Sequence, residues 1–112
     1  GAVAAKNRRI ILCGFNGMPA GADNCCEETV DGQTVTRQDV SHAERNLIEF
    51  AAAEGIPLRG CDLYTTHLSC LECAKSIVNA GIQTVFYEHE YRDPRGRFYL
   101  LDHGIEVINI RL

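Results

Sequence analysis

The stretch Tyr64-Thr65-Thr66-His67-Leu68-Ser69-Cys70-Leu71-Glu72-Cys73-Ala74-Lys75-Ser76-Ile77 constrains the chain most. It reads as a strand running into a helix, with Cys-x-x-Cys on the junction. Cys70 on the turn and Cys73 in the first helical turn point both sulfurs at one spot, exposed there, and two thiolates make half of a metal site. The other half needs an imidazole or a second thiol pair. Ser41-His42-Ala43-Glu44 is the stretch built to supply it, because Ser41 reads as an N-cap that puts His42 and Glu44 in the first turn of the following helix. A His, Cys, Cys set leaves the fourth zinc position open, which is the arrangement of catalytic sites.

At 112 residues the chain has room for a single domain over 1–112 and one core. No apolar run approaches the ~20 residues of a membrane span. The first residues lack the charged and apolar regions of a secretory signal, and Gly1-Ala2-Val3 looks like a chain entered midway. Net charge is −4 and no basic run is longer than Arg8-Arg9, so nucleic acid, whose binding needs clustered cations, is a poor partner and a small substrate is favoured. Six cysteines without a secretory signal point to reduced thiols and a cytoplasmic location rather than to disulfides.

In chain order, Ala2–Ala5 and Arg9–Cys13 read as a hairpin apolar enough to be buried on both faces. Gly14-Phe15-Asn16-Gly17-Met18-Pro19-Ala20-Gly21 is a tight loop, either a plain connection or one whose glycines let a ligand approach the backbone. Residues 23–40 show no period and read as a surface excursion with a turn at Asp31-Gly32; the adjacent Cys25 and Cys26 are poorly placed to bridge each other. His42–Glu54 reads as a helix with an apolar face of Ala43, Leu47, Phe50 and Ala51, ended by Gly55 and Pro57. A strand over Cys61–Thr66, a helix over Leu71–Ala80 closed by Gly81, and a central strand over Thr84–Tyr87 follow. A turn at Asp93–Gly96, a short helix over Phe98–His103 and a strand over Glu106–Ile110 complete the chain. A helix between the last two strands implies that they run parallel, giving a five-stranded mixed sheet with helices on its faces.

If His42, Cys70 and Cys73 hold zinc, the metal would bring the pKa of water toward ~7. Glu44, two residues past the histidine, falls beside that water rather than on the metal and can carry its proton to a leaving group. His-x-Glu followed by Cys-x-x-Cys is a known signature of zinc nucleobase deaminases, so the reaction class is recognised rather than derived. A closed structural zinc would need a fourth protein ligand, and His67 is the nearest candidate, although its place on the strand edge suits packing or pocket lining better. His89 and His103 read as solvated surface residues.

Four stretches, Gly14 to Gly21, His42-Ala43-Glu44-Arg45-Asn46, Cys70-Leu71-Glu72-Cys73-Ala74-Lys75 and Tyr87-Glu88-His89-Glu90-Tyr91, come in the order and spacing of the deoxycytidylate deaminases, which the chain resembles over nearly its whole length. The two metal motifs are shared with cytidine, guanine, riboflavin-pathway and transfer-RNA adenosine deaminases, whereas the Gly-rich Asn loop and the downstream Tyr single out the deoxycytidylate branch. The resemblance implies a cytidine deaminase-like three-layer α/β/α fold and conversion of dCMP to dUMP and ammonia, which feeds thymidylate synthesis. It implies one catalytic Zn2+ on His42, Cys70 and Cys73, with Glu44 shuttling protons and Asn16 and Tyr91 contacting the nucleotide. It further implies a homohexamer, activated by dCTP with Mg2+ and inhibited by dTTP through the loop holding Gly14, Asn16, Gly17 and Gly21.

Three departures from that family stand out. Ser69 replaces the usual proline before the first zinc cysteine, which loosens the turn without removing a ligand. Some members hold a second, structural zinc that uses a cysteine matching Cys25 together with histidines ahead of the His-x-Glu motif. Residues 27–41 contain no histidine, which speaks against that site. The family's N-terminal helix is missing ahead of Gly1-Ala2-Val3, which would leave one sheet face partly uncovered and suggests a longer polypeptide. The alternatives are another cytidine or nucleobase deaminase of the same fold, and a non-catalytic zinc module that binds dNTP.

Overall fold

Asn7 and Arg8 both take positive φ, 52° and 64°, the conformation of a two-residue turn whose twist matches that of paired strands. They join β1 (Ala2–Lys6) to β2 (Arg9–Gly14), which pair antiparallel. A computed structural model describes residues 1–14, 27–30, 33–36 and 42–110. Within them β3 (Glu27–Val30) and β4 (Gln33–Thr36) form a separate antiparallel pair, followed by α1 (Ala43–Glu54), β5 (Asp62–His67), α2 (Leu71–Ala80), β6 (Thr84–His89), α3 (Arg95–Asp102) and β7 (Glu106–Asn109).

The main sheet has five strands in the order β2-β1-β5-β6-β7. β1 pairs antiparallel with β5, while β5, β6 and β7 run parallel, with α2 and α3 as the crossovers. The mixed sheet, its antiparallel N-terminal hairpin and its parallel last strands are therefore as expected. Leu63 and Val85 from the strands meet Leu47, Ile77 and Leu100 from the three helices in one core, all five fully buried. Burial of each contributes about 1.5–3 kcal/mol, which seats α1 and α2 firmly on the sheet.

The opposite face of the same strands carries Val3, Tyr64, Phe86 and Ile108. The Tyr64 and Phe86 rings stack there at 4.6 Å, and Tyr64 and Ile108 are each 38% exposed. Among the described residues the three helices pack against the Leu63 and Val85 face. No described helix is long and apolar enough to cross a membrane.

Several local details differ from the sequence reading. β2 is not buried on both faces: among the described residues it is an edge strand, paired with β1, its register skips Ile11, and Ile10 is 69% exposed. Within the stretch read as a surface excursion, residues 27–30 and 33–36 form the β3–β4 pair, with Val30 paired to Gln33; the turn read at Asp31-Gly32 lies outside the described residues. α1 turns Ala43, Leu47 and Ala51 inward and leaves Phe50 half exposed, because a spacing of four returns to one face and Phe50 falls beside it. α3 begins at Arg95, inside the stretch read as a turn. β6 is interior, but β5 holds the middle of the sheet.

Candidate metal centre

α1 and α2 start side by side, and their first residues bring the predicted ligands together. His42 itself is the N-cap of α1, one residue later than the capping reading of Ser41, which lies outside the described residues. Its extended backbone (φ −69°, ψ 155°) aims the ring at α2, and its carbonyl accepts the first helical bond from Asn46 at 2.8 Å. Cys70 is the N-cap of α2, and its Sγ accepts from the Cys73 amide at 3.5 Å. Gly81 at φ 82° closes that helix, as its sequence indicated. Cys73 is fully buried rather than exposed, because the first turn of α2 packs its sulfur among His42, Cys70 and Glu44; Cys70 is half-buried.

His42 Nδ1 lies 3.4 Å from Cys73 Sγ and 3.6 Å from Cys70 Sγ, and the three ligand atoms fall within 4.8 Å of one another. Zn–N near 2.0 Å and Zn–S near 2.3 Å on a tetrahedron separate such atoms by about 3.5 Å, so the three residues fit that metal. The proton distribution agrees. A hydrogen bond from Cys73 lowers the Cys70 thiol to about 4, against the opposing effect of burial. The same bond, then burial and the nearby Glu44 carboxylate, raise the Cys73 thiol. The bond to Cys70 raises the His42 imidazole despite burial. Such a coupled pair releases one proton easily and holds the second, and a divalent cation is what displaces the one held. The positive ends of both helices favour the thiolates.

Glu44 sits in the first turn of α1, 7% exposed and against Cys73, with its Oε1 accepting from the Thr65 hydroxyl at 2.8 Å. Thr65 escaped the sequence reading. Its one signal is a polar residue at a core-facing position of β5, two along from Leu63. The cluster of Tyr87, Glu90 and Arg97 was missed as well. The buried Tyr87 hydroxyl donates to Glu90 Oε1 at 2.7 Å, and Arg97 bonds the same carboxylate at 2.8 Å, tying the end of β6 to α3.

His67 is not drawn into the cage. It is exposed, with its ring 5.1 Å from that of His89 and its Nδ1 3.3 Å from Thr66 Oγ1. His89 and His103 are exposed, as read. Tyr91 follows β6, half-buried against the core. Gly14 ends β2, and a Cβ there would lie 2.5 Å from the Ala43 carbonyl and 2.8 Å from Leu47 Cβ, so its smallness serves the approach of α1. Asn16, Gly17, Gly21 and Cys25 lie outside the described residues.

The turn carrying Ser69 and Cys70 is clamped from behind by α3. A Cβ on Gly96 would stand 2.2 Å from the Ser69 carbonyl oxygen and 2.8 Å from that of Cys70. Both are backbone atoms that cannot step aside, so Gly96→Ala is expected to cost about 1–3 kcal/mol and to weaken zinc retention, measured by melting and metal content. Ser69 is 1% exposed, and its hydroxyl has no partner among the described residues. Ser69→Ala removes that unsatisfied oxygen and is expected to raise stability by about 1 kcal/mol, read from denaturant unfolding.

The strand order, together with metal ligands carried on two adjacent helix N-termini, places the chain among proteins of the cytidine deaminase-like fold. The family described as "Cytidine and deoxycytidylate deaminase zinc-binding region" matches residues 1–89. The chain is 37% identical to ComE operon protein 2 of Bacillus subtilis over 100% of its own length and 60% of that relative's. It is 32% identical to the deoxycytidylate deaminase of Enterobacteria phage T4, covering 98% of the chain and 78% of the relative. Among solved structures, dCMP deaminase from the cyanophage S-TIM5 in complex with dCMP and dUMP superposes with a TM-score of 0.87 at 38% identity, over 97% of this chain and 79% of that one. The chain belongs to the cytidine and deoxycytidylate deaminase family.

Proposed function

We propose that this chain carries the active site of a dCMP deaminase, converting dCMP and water to dUMP and ammonia. The observation that carries the reading is the Glu44 carboxylate buried beside the His42, Cys70 and Cys73 cage. Similarity to the phage T4 enzyme and to the cyanophage protein bound to dCMP and dUMP supports dCMP as substrate. When bound by His42, Cys70 and Cys73, zinc supplies the Lewis acidity that makes hydroxide available near neutral pH. Glu44 takes a proton from the water that adds to C4 of the cytosine ring and returns it to the departing amine. The buried position of Glu44 keeps that proton from bulk water.

Within the same reading, Asn16 and Tyr91 contact the nucleotide, and the loop holding Gly14, Asn16, Gly17 and Gly21 takes dCTP with Mg2+ or dTTP as effector. The protein works as a single-domain subunit of a homohexamer in the cytoplasm, supplying dUMP for thymidylate synthesis. The test is ammonia release by zinc-loaded protein from dCMP, cytidine, dCTP and guanine. Preference for dCMP supports the reading, and no ammonia from dCMP overturns it. Sigmoidal dCMP kinetics that shift with dCTP and dTTP would support the regulation.

A further inference from the structure

We propose that Thr65 is a positioning residue that fixes the Glu44 carboxylate through its hydroxyl; this rests on the dCMP deaminase reading. Thr65 lies on the core face of β5, 5% exposed, with Ala2 and Tyr87 opposite it on the two flanking strands. Valine would fill the same space without burying an oxygen, so the hydroxyl needs a reason to be there. Two acceptors lie within reach, Glu44 Oε1 at 2.8 Å and the His67 carbonyl at 3.0 Å. The hydroxyl has one proton to give, and the carboxylate oxygen of Glu44 is the nearer acceptor. A bond from a strand in the middle of the sheet to a flexible glutamate on α1 sets the plane of the carboxylate. The oxygen that meets the reacting water is then held in place before substrate arrives.

Threonine can act here through its hydroxyl or through its shape, and two variants separate the possibilities. Thr65→Val keeps the shape and loses the donor; Thr65→Ser keeps the donor and loses a methyl. With zinc-loaded protein and dCMP, Thr65→Val is expected to lower kcat by about tenfold to a hundredfold with KM unchanged. Thr65→Ser is expected to retain kcat while melting below the wild type, and both variants should keep wild-type zinc content. The reverse order, valine active and serine impaired, overturns the proposal. A double-mutant cycle in melting temperature, Thr65→Val with Glu44→Ala, needs no turnover. Thr65→Val is expected to destabilise the protein when Glu44 is present and to have little effect once Glu44 is replaced. Additive effects overturn the bond itself. An inert wild type with a non-additive cycle instead overturns the substrate reading and the positioning role with it, leaving the bond in place.

Discussion

Replacing Glu44 with Gln is expected to lower the rate of ammonia release from dCMP by about 10²–10⁴-fold while one zinc per chain is retained. Gln has the shape of Glu, and its carbonyl oxygen can still accept the Thr65 hydroxyl, so the first turn of α1 keeps its packing against Cys73 and β5. What Gln cannot do is take a proton from water. Glu44 is the carboxylate that bears on both His42 and Cys73, and the cluster able to hold a metal among the described residues is His42, Cys70 and Cys73. Glu72, although in the first turn of α2, is exposed and reaches Lys75 instead. Steady-state ammonia release with metal analysis of the same sample checks both halves. Near-wild-type turnover would remove Glu44 from the proposed proton transfer, and loss of zinc would make it part of the metal's support.

The metal cage was legible in the sequence because its geometry is local. Cys70 caps the helix that carries Cys73, Gly81 closes that helix, and His42 and Glu44 lie within three residues of each other at a helix start. Short-range capping rules reach all of these positions. The bringing together of the two motifs follows from the parallel strands and their crossovers, which the alternation of strand and helix also predicts.

What the sequence hid depends on neighbours far along the chain. Arg9–Gly14 is apolar enough for an interior strand, yet among the described residues it lies at the sheet edge, paired with β1, and nothing within its six residues says so. Glu27–Val30 and Gln33–Thr36 are each four residues long, too short to show a period. Phe50 is large and apolar, but the face of α1 is chosen by the small Ala43 and Ala51 that let the helix approach the sheet, as Gly14 does from the strand side. Thr65 and Glu44 are 21 residues apart, and Gly96 meets Ser69 and Cys70 only because α3 folds back over their turn. The Thr65–Glu44 and Gly96–Ser69 contacts bear on the site, and both are made by tertiary packing.

Replacing Cys73 with Ala is expected to abolish zinc retention and dCMP turnover together, whereas Cys61→Ala keeps both. The two thiols are equally buried, but Cys61 belongs to the apolar core, where desolvation raises its pKa, while Cys73 faces His42 and Cys70. Zinc held by a full ligand set is worth about 10–16 kcal/mol, and one ligand in four is then about 3 kcal/mol, or roughly a hundredfold in affinity. The variant should therefore release metal during purification, and its melting temperature should stop rising with added zinc, as linkage requires of a protein whose site is lost. Chelation of the wild type supplies the complementary result. Cys70, its thiol lowered to about 4, is a thiolate at neutral pH and half-buried, so it should react with a thiol reagent once metal is withdrawn and be protected when zinc is restored. Protection that is the same with and without zinc, or full zinc content in Cys73→Ala, would place the metal elsewhere. Because Cys70 and Cys73 share one helical turn, loss of either sulfur also removes the partner that sets the other's protonation, so the two cysteines act as one unit in holding the metal.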